Sequence, residues 1–148
     1  ASMFLANTPA GPDVVREYDG ADDAAALQTL LAQESQDKFI MVMFHAPWCP
    51  YCKNLTTQFR TAAPETTVSF DVLKIDVEKF PVLVNSYMQG DGVPETHVYL
   101  HGQNVDGFGG VAPDIRTIVD YIDGLSRYAD APVTKPYISA PSAFPKAH

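Results

Sequence analysis

Apolar residues fall along this chain in short runs, separated by polar, proline and glycine positions. Residues 14–18 predict a short first strand. Leu27, Leu30 and Leu31 then recur at helical spacing within residues 24–35. Asp22 and Asp23 stand just ahead of them, where carboxylates meet the positive end of a helix dipole. Residues 39–46 are apolar almost throughout and rich in strand formers, which predicts a buried central strand. A helix over 52–63, stopped by Pro64, and a second buried strand over 70–77 follow. Pro81 suits the first position of a helix running to about Met88, and Gly90-Asp91-Gly92 breaks it. Residues 96–100 and 104–108 predict a hairpin turning at His101-Gly102-Gln103. Pro113 and Asp114 open a last helix, with Ile115, Ile118, Val119, Ile122 and Leu125 on one face.

The resulting order is β-α-β-α-β-α-β-β-α. Parallel units come first and a hairpin last, so the expected fold class is α/β, a central mixed sheet flanked by helices. Residues 14–128 form the predicted domain. Residues 1–13 lack apolar periodicity and are expected to be an extended N-terminal segment. Residues 129–148 carry Pro132, Pro136, Pro141 and Pro145 and are expected to be a Pro-rich tail.

A length of 148 residues suits one domain large enough to fold without a disulfide staple. The net charge of −8 argues against nucleic acid and against docking on anionic lipid, since both need a basic surface. The longest strongly apolar run, residues 39–44, is too short to span a membrane.

Chemistry concentrates in Trp48-Cys49-Pro50-Tyr51-Cys52, which holds both cysteines of the chain. A C-x-x-C between a strand-like run and a helix-like run reads as a redox pair. Two thiols carry the electrons as a disulfide, so no cofactor is implied. A cysteine at a helix N-terminus meets unsatisfied N–H groups that favour its thiolate, so Cys49 is the expected attacking thiol. Cys52, one turn on and expected to be the more buried, would resolve the mixed disulfide. Trp48 offers an exposed apolar plane for a polypeptide substrate. Zinc binding is the bland alternative, but His45, His97, His101 and His148 are scattered, with no second C-x-x-C. No metal site is expected. A purely structural bridge between residues three apart would close too short a loop to add much stability.

Residues 44–53, Phe-His-Ala-Pro-Trp-Cys-Pro-Tyr-Cys-Lys, resemble the active-site segment of the thioredoxin superfamily, which includes protein disulfide isomerases. Lys74-Ile75-Asp76-Val77 is similar to that family's next strand, and Tyr87 falls where its next helix usually ends. Gly92-Val93-Pro94 resembles its cis-proline loop, and Gly109-Gly110 its last strand-to-helix turn. The resemblance spans about residues 14–127 and implies the thioredoxin fold. It implies a cis Pro94 facing the cysteines, with the Val93 backbone pairing to an extended substrate. It also implies a thiol-disulfide oxidoreductase acting on protein substrates, with an upstream redox partner and a monomeric state.

The pattern departs from that family in places. Met43 stands where the family usually has a buried acid, and a thioether carries no proton. Slower thiol deprotonation and weaker reductase activity are expected. His45 shares a strand face with Met43, and a histidine can carry protons near neutral pH. Lys74 occupies the place of a lysine that accompanies the missing acid. His45 and Lys74 are therefore the candidate proton-transfer residues; the alternatives are a polar rim histidine and a lysine reaching out to solvent. Thr57 replaces a kinking proline, so a straighter helix is expected. Pro94-Glu95-Thr96 has one residue more between proline and threonine than typical thioredoxins. That V-P-E-T resembles periplasmic thiol-disulfide proteins related to cytochrome c maturation, with a solvated loop charge at Glu95 as the alternative.

Two other functions compete. Cys-Pro-Tyr-Cys also occurs in glutaredoxins, but the 48 residues before Cys49 leave room for a strand and helix that glutaredoxins lack. A non-catalytic binding module, recruited through the Pro-rich tail, would have no need of two intact cysteines. Two cysteines without spare thiols fit an oxidising compartment. The Asn54-Leu55-Thr56 sequon on the active-site helix and the Pro-Lys-Ala-His ending disfavour the endoplasmic reticulum. The expected location is periplasmic or secreted, with the cytoplasm as the alternative.

Overall fold

A computed structural model describes residues 13–129. The expected N-terminal segment and Pro-rich tail therefore lie essentially outside the described residues. The order is β1 (Val15–Glu17), α1 (Ala24–Glu34), β2 (Phe39–His45), α2 (Pro50–Ala62), β3 (Phe70–Asp76), α3 (Pro81–Tyr87), β4 (Glu95–Leu100), β5 (Gln103–Gly109) and α4 (Ile115–Gly124). Short 3-10 turns follow α2 at Ala63–Glu65 and α4 at Leu125–Tyr128.

The five strands form one sheet in the order β1-β3-β2-β4-β5. β1 and β2 run parallel to β3, while β4 runs antiparallel to both β2 and β5. The predicted mixed α/β sheet is thus what forms. β2 has a hydrogen-bonded neighbour on each edge, and all seven of its residues are buried. Its side chains alternate between two cores. Phe39, Met41 and Met43 join one with Leu55 and Phe59 of α2 and Ile118 and Ile122 of α4. Ile40, Val42 and Phe44 join the other with Leu27 and Leu31 of α1 and Leu83 of α3. Covered on both faces, such a strand loses the polar alternation of a surface strand, which is why it reads as a continuous apolar run.

Polar side chains close the elements. Asp23 is the N-cap of α1, and its carboxylate accepts from the Ala26 N–H. Asp22, expected at the same terminus, instead accepts from the Val82 and Leu83 N–H groups at the start of α3. Aspartate satisfies orphan helix donors wherever the fold brings them, and here the neighbouring helix is nearer. Asp114 caps α4 through the Thr117 N–H. The β4–β5 connection is a two-residue turn, one shorter than predicted: Leu100 pairs with Gln103. His101 (φ 54°) and Gly102 (φ 76°) both take positive φ, the geometry that suits a tight hairpin's twist. α2 runs unbroken past Thr57, whose hydroxyl donates to the Lys53 carbonyl.

Candidate active site

The site sits where β2 ends and α2 begins. Residues of a parallel strand's carboxyl end and the following helix N-terminus meet there, so backbone donors converge on one point. Cys49 is the N-cap of α2, and Pro50 takes the first helical position, where its missing N–H costs nothing. Cys49 Sγ accepts the Cys52 N–H at 3.1 Å, filling the role that a serine or aspartate oxygen plays at other caps. Both cysteines are free thiols.

Cys49 and Cys52 are each only 1% exposed, which corrects the expectation that Cys49 would be the more open of the two. The loop before β4 covers it: the Cys49 thiol donates to the Val93 carbonyl at 3.8 Å. The Val93–Pro94 peptide bond is cis. The Pro94 carbonyl accepts from the Gly110 N–H at 3.0 Å, tying this loop to the end of β5. Gln58 of α2 clamps the next loop, donating to the Ala112 carbonyl and accepting from the Ala112 N–H.

Trp48 is 63% exposed, and its indole N–H donates to Glu78 at 2.6 Å. With Val77, Asp91, Gly92 and Val93 it lines a cleft of about 300 Å³ beside the cysteines. Tyr51 and Val82 are further exposed large hydrophobic residues.

Burial pushes the Cys52 thiol up to about 12, and the hydrogen bond with Cys49 pushes the same way. The Ala46 backbone and the charge of Lys74 act in the opposite direction. Lys74 reaches this region because one row across the sheet reads Glu17, Lys74, Met43 and Thr96 in register. Met43 has hydroxyls beside it. Thr56 Oγ1 lies 3.9 Å from its sulfur, and the buried hydroxyl of Thr96, its β4 neighbour, has no hydrogen-bond partner among the described residues.

His45 and Lys74, the candidate proton-transfer residues, come together through one carboxylate. Both side chains are largely buried, and both meet Glu17, which sequence reasoning missed. Glu95 also differs from the solvated alternative. Its side chain is buried on the opposite face, where it meets His97 Nε2 at 2.6 Å and accepts from the Gln89 and Gly90 N–H groups. It thereby fixes the start of the loop that carries Val93 and Pro94. Alternation held the signal, since Glu95 and His97 fall two apart on one strand face. Among the described residues, no group of His, Cys, Asp and Glu is placed to hold a metal ion. Nor, among them, is any helix long and apolar enough to cross a membrane.

Comparison with known proteins agrees with this geometry. The Thioredoxin family model matches residues 21–123. The chain belongs to the thioredoxin family. Thioredoxin Y2 of Arabidopsis thaliana, a chloroplastic protein, is 31% identical over 80 residues, covering 54% of this chain and 47% of that protein. Protein disulfide-isomerase A5 of Bos taurus is 30% identical over 118 residues, covering 72% of this chain and 22% of that protein. The chain thus spans less than half the length of these two relatives. Among solved structures, a mutant thioredoxin from Halobacterium salinarum superposes with a TM-score of 0.60 at 26% identity, over 79% of this chain and 95% of that one. Met43 and the Glu95 anchor are two of the points at which this thioredoxin-family site departs from the pattern the resemblance implied.

Substitution tests both features. Met43→Asp introduces a carboxylate between Thr56 and Thr96, within the core under Cys52. It is expected to speed insulin reduction at neutral pH and to lower stability by about 1–3 kcal/mol, the cost of a buried polar group with incomplete partners. Equal reduction rates for the two proteins would remove any role for the missing acid. For Glu95, burial alone would raise the carboxyl, but the His97 hydrogen bond and the Gln89 and Gly90 N–H groups outweigh it and hold it below its ordinary value. A carboxyl lowered in the folded state stabilises fully above its unfolded value, about 4.3, and that stability is lost as pH falls through the lower folded value. Glu95→Gln should therefore cost about 3 kcal/mol in urea unfolding at pH 7. The difference from the native protein should shrink as pH drops below about 4; a constant difference contradicts this account.

Proposed function

We propose that this chain is a thiol-disulfide oxidoreductase that exchanges disulfides with protein substrates. The observation that carries the reading is the Cys49–Cys52 pair capping α2 beneath the Val93–Pro94 loop. In the reducing direction the Cys49 thiolate attacks a substrate disulfide. A bond forms between Cys49 Sγ and one substrate sulfur, and the other leaves as a thiolate. The Cys52 thiolate then attacks Cys49 Sγ, forming the Cys49–Cys52 disulfide and releasing the second substrate thiolate. Two electrons pass to the substrate, and protons from solvent and the two cysteines balance the released thiols. The oxidising direction is the reverse. An upstream dithiol or disulfide partner must reset the pair after each cycle.

Trp48 and the cleft beside it support a polypeptide substrate, because an exposed indole next to a reactive sulfur gives an extended chain an apolar surface to lie on. The Val93 backbone is the proposed pairing edge for that segment. A periplasmic or secreted setting is the reading supported by two cysteines with no spare thiol and by the V-P-E-T loop.

Cysteine variants test the mechanism. Cys49→Ser is expected to abolish insulin reduction. Cys52→Ser should still attack but accumulate mixed disulfides that a small dithiol releases. A Cys49→Ser protein that keeps its activity overturns the assignment. Pro50-Tyr51 replaces the Gly-Pro common between thioredoxin cysteines, and a more oxidising couple is proposed. Equilibration with glutathione should place the potential above about −270 mV, the thioredoxin value. A potential at or below that value refutes it.

A further inference from the structure

We propose that Gln58, buried in α2, is a positioning residue that ties the active-site helix to the Val93–Pro94 loop and so sets how well that loop pairs with an extended polypeptide substrate. The inference rests on the reading of Cys49 as the attacking thiol and of Val93 as the substrate-pairing edge.

Gln58 stands on the inner face of α2, in line with Leu55 and Ala62 and beside Phe59, all three of them core residues. An amide carried into such surroundings is costly unless its polar atoms find partners. Gln58 finds both partners in one residue. Its Nε2 donates to the Ala112 carbonyl at 2.8 Å, and its Oε1 accepts the Ala112 N–H at 3.1 Å. Ala112 is itself buried, in the connection between β5 and α4. It takes from this one side chain the two bonds that a neighbouring strand would otherwise give.

The contacts around the site close into a ring. Cys49 Sγ donates to the Val93 carbonyl, and the next carbonyl, that of Pro94, accepts from the Gly110 N–H. Gly110 turns the chain with a φ of 79°, and Ala112, two residues on, is held by Gln58. From Gln58 the ring returns along α2 to Cys49, a rigid side of roughly 14 Å at the helical rise. Glu95 holds the start of the covering loop separately, through the Gln89 and Gly90 N–H groups.

Loss of the Gln58 amide opens this ring at one point. The Ala112 N–H and C=O would be buried without partners, which favours rearrangement of residues 110–112. Pro94 would then be bonded to a Gly110 no longer fixed against the helix that carries Cys49. A substrate segment lying on Val93 must bring its disulfide into line with the Cys49 sulfur, and a small displacement there slows attack. A small disulfide has no chain to lay on Val93 and escapes this constraint. Gln58 touches neither sulfur and acts through the loop alone.

Gln58→Met keeps the length of the side chain and removes both hydrogen bonds. Gln58→Leu repeats the test with a different apolar shape, and Thr57→Ala is the control on the exposed face of α2. Single turnovers of the reduced proteins are measured on three substrates: a peptide disulfide, the same peptide N-methylated at the amides flanking its cysteine, and dithiobis-nitrobenzoate. Urea unfolding of each protein accompanies them.

In Gln58→Met and Gln58→Leu the second-order rate constant for the peptide is expected to fall several-fold, with attack on dithiobis-nitrobenzoate little changed. N-methylation should slow the native protein and Thr57→Ala several-fold and the Gln58 variants much less, since pairing at Val93 is what both changes remove. A merely structural role would lower stability and leave the peptide and the small disulfide in their native ratio. That outcome, or native peptide rates in folded Gln58 variants, overturns the inference. A native protein indifferent to N-methylation strikes instead at the Val93 pairing edge, and the inference falls with it.

Discussion

Strand β2 is enclosed on both edges and both faces, and the site inherits its constraints from that enclosure. A strand with no solvent edge cannot shift register without moving an entire set of side chains between the two cores. His45 at its end, and Cys49 four residues later, are therefore fixed relative to β3 and β4. The loop that covers Cys49 is fixed from the other side, through Pro94 and Gly110 and through the Glu95 anchor. Redox chemistry between two sulfurs needs such mutual placement more than it needs many functional groups, because in-line attack by one sulfur on the other tolerates little displacement. The same enclosure is what pushes the Cys52 thiol up. A thiol on the inner face of a helix, over a filled strand, has little water to stabilise its charge.

Charge in this region is displaced rather than absent. Position 43 carries a thioether in the middle of the core, where a carboxylate would be costly unless well partnered. The acid stands instead on β1, at the sheet's edge, where one of its oxygens can remain hydrated. An edge carboxylate has a smaller desolvation cost than a central one, yet still reaches Lys74 across a single strand spacing.

Local patterns made much of this readable before any coordinates. The apolar run of β2, the C-x-x-C after it and Pro81 at the start of α3 are all short-range signals. What stayed hidden depended on register or on which helix lies nearest. Glu17 acquires a role only once β1 is aligned with β3, and nothing in residues 14–18 announces that alignment. Asp22 sits beside a perfectly good helix terminus and serves another. Glu95 follows the proline of an ordinary-looking loop, and its burial follows from β4 beginning one residue earlier than its β-formers suggest. Cys49 is hidden by a chain segment more than forty residues away in sequence.

Two glutamate–histidine pairs flank the redox centre from opposite sides of the sheet, and their burial sets different tasks. Glu95 and His97 are both almost wholly enclosed, and the carboxylate has two backbone donors besides the imidazole. A buried pair of this kind is strongly coupled to the backbone it grips, so breaking it moves a loop. Glu17 and His45 differ: the histidine is enclosed but the carboxylate is half in water, where solvent competes for the contact. A weak, hydrated contact is a poor staple. The rigid pair therefore belongs to the covering loop at Val93 and Pro94, and the hydrated pair adds little to the hold on the site.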